Sequence, residues 1–91
     1  MANPRVILIT GSRRGIGAGL VSHFLERGDT VIGCSRRPST LAHERYTHFE
    51  VDVTDEPAVK RMFGHIRNVH GHLDVLINNA GIASMNHALL T

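Results

Sequence analysis

The chain has 91 residues, 42% hydrophobic and 20% charged, which fits one small globular domain and argues against a disordered chain. Ten Lys and Arg residues against eight Asp and Glu leave a net charge of +2, too little to indicate nucleic-acid binding. No apolar run approaches the roughly 20 residues of a membrane-spanning helix, and the start lacks a secretion signal. We therefore predict a cytoplasmic protein with neither a nucleic acid nor a membrane as partner.

A strand, a glycine-rich turn and a helix are predicted at the start of the chain. Residues 5–9 (RVILI) are nearly all apolar, as in a strand covered on both faces. In the turn that follows, Gly11 permits the change of direction, Gly15 leaves room for a phosphate, and Gly17 lets the helix pack closely on the sheet. Backbone amides at the helix start attract anions, so the turn indicates a dinucleotide pyrophosphate site. The alternative is a glycine-rich loop with no ligand.

The remaining pattern alternates between strands and helices. Gly28 ends the first helix and Gly71 the last, which begins after Thr54 or Asp55. Further strands are predicted at residues 30–34, 48–53 and 73–77, with a loop and at most two helical turns at 36–46. The βαβαβαβ order predicts an α/β fold with a Rossmann-type doubly wound parallel sheet of about four strands, in one domain spanning residues 1–91.

Three motifs together resemble the short-chain dehydrogenases/reductases, in particular the N-terminal cofactor-binding half of carbonyl reductases related to 3-oxoacyl carrier-protein reductase. They are Thr10-Gly11-x-x-x-Gly15-x-Gly17, then Asp52-Val53, then Asn78-Asn79-Ala80-Gly81-Ile82. They occur in the order and spacing of that family. The resemblance implies an oxidoreductase that uses a nicotinamide cofactor.

The resemblance also implies roles for individual residues. Asp52 would accept a hydrogen bond from the adenine amino group, and the Val53 backbone would contact the ring edge. Asn78 would tie neighbouring strands together. The alternative for Asp52 is a helix-capping or turn residue, and for Asp74 we expect only a structural role. The complete set of predicted cofactor-binding residues is Gly11, Ser12, Arg13, Arg14, Gly15, Ile16, Gly17, Ser35, Arg36, Arg37, Asp52, Val53, Asn78, Ala80, Gly81 and Ile82.

The end of the second predicted strand indicates which nicotinamide cofactor is bound. NAD-binding units place an acidic residue there to bond the ribose 2′-hydroxyl, whereas this chain has Ser35, Arg36 and Arg37. A guanidinium group can donate paired hydrogen bonds to a 2′-phosphate, so we predict NADP(H). By resemblance, Arg14 occupies a position where NADP-preferring relatives carry a second basic residue. The alternative is that these arginines form a solvated surface without a ligand.

No catalytic residue is predicted within the 91 residues. The family uses a serine and a Tyr-x-x-x-Lys pair that follow the Asn-Asn-Ala-Gly segment, but here the single tyrosine, Tyr46, and single lysine, Lys60, are fourteen positions apart. We therefore expect the cofactor-binding half of a longer enzyme acting on a small carbonyl or alcohol substrate. By resemblance, the complete enzyme would be a dimer or tetramer. The alternative is a non-catalytic NADP(H)-binding or sensing module that pairs with another chain.

Histidine and cysteine usage does not indicate a metal site. The seven histidines include His65, His70 and His72, but their spacing differs from that of zinc ligands. The single cysteine, Cys34, cannot form an internal disulfide. We interpret it as a small buried residue rather than a reactive thiol.

Overall fold

The computed structural model describes residues 4–13 and 15–79. Its elements form a four-stranded sheet in the order β3-β2-β1-β4, and every strand pair is parallel. In chain order the elements are β1 (Val6–Thr10), α1 (Gly15–Glu26), β2 (Thr30–Ser35), β3 (Tyr46–Glu50), α2 (Glu56–His70) and β4 (Val75–Ile77). The predicted doubly wound parallel sheet is confirmed.

The hydrophobic core lies in two layers because alternate residues of each strand face opposite sides of the sheet. Ile7 and Ile9 pack with Val21 and Leu25 of α1, and Val6 and Leu8 pack with the apolar stripe of α2. All five residues of β1 are buried. This double coverage explains the nearly continuous apolar sequence of the strand.

The middle helix of the predicted alternation is absent, because residues 36–45 form a loop. The loop predicted for this region is confirmed. The third strand begins and ends earlier than the predicted 48–53, since its last ladder partner is Ser35 at the end of β2. Beyond that point Asp52 forms a turn with Thr54, and strand geometry is not continued.

The ends of α2 follow the predicted chemistry. Asp55 is the N-cap and accepts a hydrogen bond from the Ala58 backbone N–H at 3.2 Å. Gly71 adopts a left-handed conformation with φ of 80° and donates its backbone N–H to the Arg67 carbonyl. No helix within the described residues is long and apolar enough to cross a membrane.

Charged side chains hold the elements together at the amino ends of the strands. Asp74 accepts the Val6 backbone N–H at 2.7 Å and lies 3.0 Å from His72 Nε2. Foremost the bond from Val6, and then the nearby His72 and Arg5, keep the pKa of Asp74 below its usual value. The predicted structural role of Asp74 is therefore confirmed.

Candidate functional site

The turn between β1 and α1 depends on glycine for two different reasons. Gly11 and Gly15 have φ angles of 63° and 64°, in the left-handed region that favours glycine. A Cβ atom at Gly17 would overlap the Gly11 carbonyl oxygen and lie 3.0 Å from Asn79 Nδ2. Gly17 was predicted to let the helix pack closely on the sheet, but the close approach in the structure is to the glycine turn and to Asn79.

Ser12 supports the turn from beneath. Its side chain is 3% exposed, and its backbone N–H donates to the Cys34 carbonyl at 3.2 Å. Its hydroxyl donates to the same carbonyl at 3.4 Å and lies 3.2 Å from the Tyr46 hydroxyl. Because the Ser12 proton is directed to Cys34, the Tyr46 hydroxyl is the donor to Ser12. The hydroxyl of Ser12 is therefore hydrogen-bonded within the protein, to Cys34 and Tyr46.

Gly33 makes room for the Tyr46–Ser12 contact. A Cβ atom at Gly33 would overlap both the Tyr46 hydroxyl and the Ser12 hydroxyl. Burial raises the pKa of the Tyr46 hydroxyl. Sequence reasoning missed both Gly33 and Tyr46 as supports of the turn. The available signal was a glycine inside a strand, which often marks a close approach by another group.

A cleft of about 770 Å³ opens at the carboxyl ends of β1 and β2 and beside the segment that follows β3. This volume lies within the range of small-molecule sites. The cleft brings together seven predicted residues: Gly11, Arg13, Ser35, Arg36, Arg37, Asp52 and Val53. Cys34, Val51 and Thr54 also line it, although the sequence did not indicate them.

Positive charge is concentrated in the cleft. The side chains of Arg13, Arg36 and Arg37 are exposed. Within residues 4–13 and 15–79, no carboxylate forms an ion pair with any of the three. These guanidinium groups are therefore available to an anionic ligand.

Asp52 makes a local turn at the wall of the cleft. Its Oδ1 accepts the Thr54 backbone N–H at 2.9 Å and the Thr54 hydroxyl at 2.7 Å. These two bonds, with a smaller contribution from the positive charge of Arg36, hold the pKa of Asp52 below its usual value. Asp52 therefore stabilises a turn, and both of these hydrogen bonds are accepted by its Oδ1. The predicted contact with adenine stays a prediction.

Ser35 is bonded within the protein as well as lining the cleft. Its hydroxyl donates to the Arg37 carbonyl at 2.6 Å and lies 2.8 Å from His48 Nε2. A hydroxyl has one proton, so Ser35 would have to release Arg37 to donate to a ligand. Sequence reasoning did not place His48 in this region.

Two asparagines connect the end of β4 to the glycine turn. The Thr10 hydroxyl donates to Asn78 Oδ1 at 3.1 Å, which ties β1 to this segment as the resemblance implied. Asn79, which was not among the predicted site residues, donates through Nδ2 to the Gly11 carbonyl at 3.3 Å. Ile16 is 77% exposed at the start of α1. Four predicted site residues lie outside the described residues: Arg14, Ala80, Gly81 and Ile82.

The described part of the chain shows no catalytic or metal centre. Tyr46 packs with the core on the α1 face, whereas Lys60 lies on α2 and pairs with Glu56 at 3.4 Å. Within residues 4–13 and 15–79, no group of three or more His, Cys, Asp and Glu side chains could hold a metal ion. Cys34 is buried as predicted, and burial raises the pKa of its thiol to about 11.

Comparison with curated proteins finds oxidoreductases. The chain is 42% identical over 77 residues to an uncharacterised oxidoreductase of Schizosaccharomyces pombe, a match covering 82% of the chain and 26% of the relative. It is 31% identical over 88 residues to the 3-oxoacyl-[acyl-carrier-protein] reductase FabG of Haemophilus influenzae, covering 90% of the chain and 36% of the relative. The chain therefore spans about a third or less of the length of these two relatives.

Solved structures with the same fold contain either nicotinamide cofactor. A short-chain dehydrogenase from Leptospira borgpetersenii with bound NAD+ superposes with a TM-score of 0.79 at 29% identity, covering 88% of the chain and 32% of that structure. ElxO with bound NADP superposes with a TM-score of 0.78 at 34% identity, covering 88% and 36%. The family model for short chain dehydrogenases matches residues 5–90. With this match and the shared fold, the chain belongs to the short-chain dehydrogenase family.

Proposed function

We propose that this chain is the NADP(H)-binding part of a short-chain dehydrogenase/reductase that transfers hydride between the nicotinamide and a small carbonyl or alcohol substrate. The observation that carries the proposal is the cleft, where Arg13, Arg36 and Arg37 lie beside the glycine turn without an ion-pair partner in the described residues. The alternative is a non-catalytic NADP(H)-binding module.

The choice of NADP(H) over NAD(H) rests on charge at the end of β2. A carboxylate at this position would bond a ribose 2′-hydroxyl and repel a 2′-phosphate. Here the strand ends at Ser35, and Arg36 and Arg37 follow it along the cleft. Guanidinium groups match the geometry of phosphate oxygens and keep their charge at every physiological pH. Relatives have been solved with NAD+ and with NADP, so the choice proposed for this chain rests on this local charge.

The described residues also fit the remainder of a dinucleotide. The glycine turn brings backbone close to the start of α1. Apart from the chain neighbours of Gly15 and the backbone of its own helix, no described residue lies within 4 Å of the point where a Gly15 Cβ would be. That open space suits the approach of a pyrophosphate to helix amides. Asp52 and Val53 line the cleft where the adenine ring is expected. The cofactor, when bound, supplies or accepts the hydride, and these residues bind and orient it.

We further propose that residues 1–91 form the N-terminal part of a longer domain. The chain spans 26% and 36% of the two curated relatives described above. The serine and Tyr-x-x-x-Lys pair of the family would follow the Asn78–Asn79 segment. There the tyrosine would transfer the proton and the serine would orient the substrate oxygen. Complete enzymes of this kind would assemble as homo-oligomers.

A cofactor titration tests the proposal. In the full-length protein, Arg36→Asp combined with Arg14→Ala should weaken NADPH binding by roughly ten- to a hundredfold, because charge-assisted bonds to phosphate are lost. NADH binding should change less than about threefold, since NADH has no 2′-phosphate. Dissociation constants follow from the fluorescence of the bound reduced nicotinamide.

The matched control is Arg61→Asp combined with Arg67→Ala, which makes the same charge change at two exposed positions of α2 outside the cleft. It should leave both dissociation constants near their wild-type values. Equal losses for NADPH and NADH in the Arg36→Asp, Arg14→Ala variant would contradict NADP selectivity. A full-length protein that binds NADPH but shows no reductase activity on any tested carbonyl would favour the non-catalytic module.

A further inference from the structure

A hydrogen-bonded group on the α1 face joins β3 to the arginine-bearing turn after β2. We name it the Ser35 clip, and it consists of Ser35, the Arg37 carbonyl and His48. The Ser35 hydroxyl donates to the Arg37 carbonyl at 2.6 Å, and His48 Nε2 lies 2.8 Å from the same hydroxyl. The Ser35 carbonyl also accepts the Val51 backbone N–H at 2.9 Å. Ser35 is therefore fixed through its backbone and its side chain.

The strand register explains why His48 reaches Ser35. His48 stands opposite Gly33, and Ser35 lies two positions further along β2. Residues in this diagonal relation share a face of the sheet, and a long side chain can bridge them. The clip thus depends on pairing between strands that are distant in sequence.

Proton accounting fixes the direction of each bond. The single hydroxyl proton of Ser35 is used toward the Arg37 carbonyl, so Ser35 accepts from His48. His48 must then carry a proton on Nε2, as the Nε2–H tautomer or as the imidazolium ion. In both forms, His48 donates the Nε2 proton to the Ser35 hydroxyl oxygen. A side chain without a donor at this point would leave the Ser35 oxygen without its partner.

The clip acts on the two arginines at the cleft. Because the Arg37 carbonyl is tied back to Ser35, the backbone of residues 35–37 is held in a closed bend. Both Arg36 and Arg37 line the cleft from this bend. Long side chains are flexible, so fixing their backbone lowers the entropy lost when they bind a phosphate.

We infer that His48 is a positioning residue for cofactor selectivity, acting through Ser35 to hold Arg36 and Arg37 ready for the 2′-phosphate of NADP(H). The inference rests on the function proposed above. His48 itself does not line the cleft. Its effect should therefore fall on the ligand group that the arginines bind, and should leave the rest of the nucleotide unaffected.

The test compares two ligands that differ in one group. Adenosine 2′,5′-bisphosphate carries the 2′-phosphate and AMP does not, and binding of each to the full-length protein is measured by calorimetry. His48→Leu, which removes the donor, should weaken the bisphosphate roughly three- to tenfold and leave AMP within about twofold. His48→Gln keeps an N–H donor at similar reach and should recover most of the loss. His70→Leu, at the last residue of α2 and away from the cleft, is the matched control.

A double substitution shows whether His48 works through Ser35. Ser35→Ala alone should resemble His48→Leu, and adding His48→Leu to Ser35→Ala should cause little further loss. Full additivity of the two losses would overturn the inference. So would equal weakening of the bisphosphate and AMP by His48→Leu, since that pattern indicates a general structural defect.

Failure of the proposed function is distinguishable from failure of this inference. A wild-type protein that binds the bisphosphate and AMP equally overturns NADP selectivity and the inference together. A wild-type preference that survives in His48→Leu overturns the role of His48 alone. Nitrogen-15 NMR of labelled histidine gives a separate readout, in which neutral His48 should be the Nε2–H tautomer. The Nδ1–H tautomer would overturn the clip.

Discussion

The two ends of the sheet use charged side chains in opposite ways. At the amino end, Asp29 pairs with Arg5 at 3.2 Å and with Arg27 at 3.9 Å, and Asp74 accepts the Val6 N–H. At the carboxyl end, three arginines line the cleft without an ion-pair partner in the described residues. The charges at the amino end bind the protein itself. Those at the carboxyl end are available to a ligand.

In this small α/β unit, the charged groups that support the structure lie at the amino end of the sheet, and those available for ligand selection lie at the carboxyl end. Exposed ion pairs contribute little free energy, but those at the amino end help to fix the relative positions of β1, α1 and β4. Like charges at the carboxyl end repel one another, and a bound anion offsets that repulsion. In a ligand-free protein, the carboxyl end must therefore be held by backbone packing and buried hydrogen bonds.

Of these substitutions, Gly17→Ala should destabilise the carboxyl end of the sheet most. The added methyl group would overlap the Gly11 backbone carbonyl, which cannot move away as a flexible side chain would. We expect a loss of about 3 kcal/mol or more in the free energy of unfolding of the full-length protein. Urea denaturation followed by circular dichroism measures the change.

Gly19→Ala provides the matched control for that substitution. Gly19 lies in the same helix, and apart from its chain neighbours and the backbone of that helix no described residue comes within 4 Å of the position of its Cβ. The alanine should stabilise the protein by about 0.5–1 kcal/mol, because glycine inside a helix is unfavourable. If Gly17→Ala proved as stable as Gly19→Ala, the close packing of α1 on the turn would be refuted.

Tyr46→Phe should weaken the carboxyl end by an intermediate amount. The Tyr46 hydroxyl donates to Ser12, whose own proton is directed to the Cys34 carbonyl, so one buried bond is lost while the ring stays in place. We expect about 0.5–1.5 kcal/mol of destabilisation by urea denaturation. NADPH and NADH affinities should fall by the same factor, unlike the selective effect expected at Arg36. A selective loss of NADPH would show that Tyr46 acts on the 2′-phosphate site.

Asp74→Asn, at the amino end of the sheet, should have the smallest effect. It should change how the free energy of unfolding depends on pH. The pKa of Asp74 is lowered in the folded protein, so its contribution is present above the unfolded pKa, near 4, and is lost as pH falls through the folded value. The wild type should therefore lose more stability between pH 5 and pH 2 than Asp74→Asn. Urea denaturation across that pH range measures the difference.

Glu26→Gln removes an exposed carboxylate of α1 and controls for the change of net charge. It should keep the wild-type acid dependence more closely than Asp74→Asn does. Identical acid profiles for Asp74→Asn and the wild type would mean that the Val6–Asp74 bond does not couple stability to protonation.

Sequence reasoning succeeded where a local rule determines structure. The glycine spacing predicted the turn, and Asp55 and Gly71 predicted the ends of α2, because each acts within a few residues of chain. It failed where the result depends on strand register. The contacts of Tyr46 with Ser12 and of His48 with Ser35 join residues 34 and 13 positions apart. Only the pairing of β2 with β3 brings them together.

The predicted βαβαβαβ order includes a middle helix, whereas the residues at 36–46 predict a loop with at most two helical turns. Pro38 and the polar residues that follow it give no apolar stripe that a helix could bury. The local signal was the correct one here. The predicted contacts of Asp52 and of Arg36 with a nucleotide depend on a ligand and stay predictions.

Cys34 gives the cleft wall a chemical inertness that its position does not suggest. Burial raises the pKa of its thiol to about 11, so the thiolate is scarce at pH 7. Thiolates are the forms that alkylating agents and peroxides attack. This wall of the cleft therefore offers no reactive nucleophile to a bound ligand. Because Cys34 is buried, a reagent can modify its sulfur in the folded protein only after the sheet opens locally.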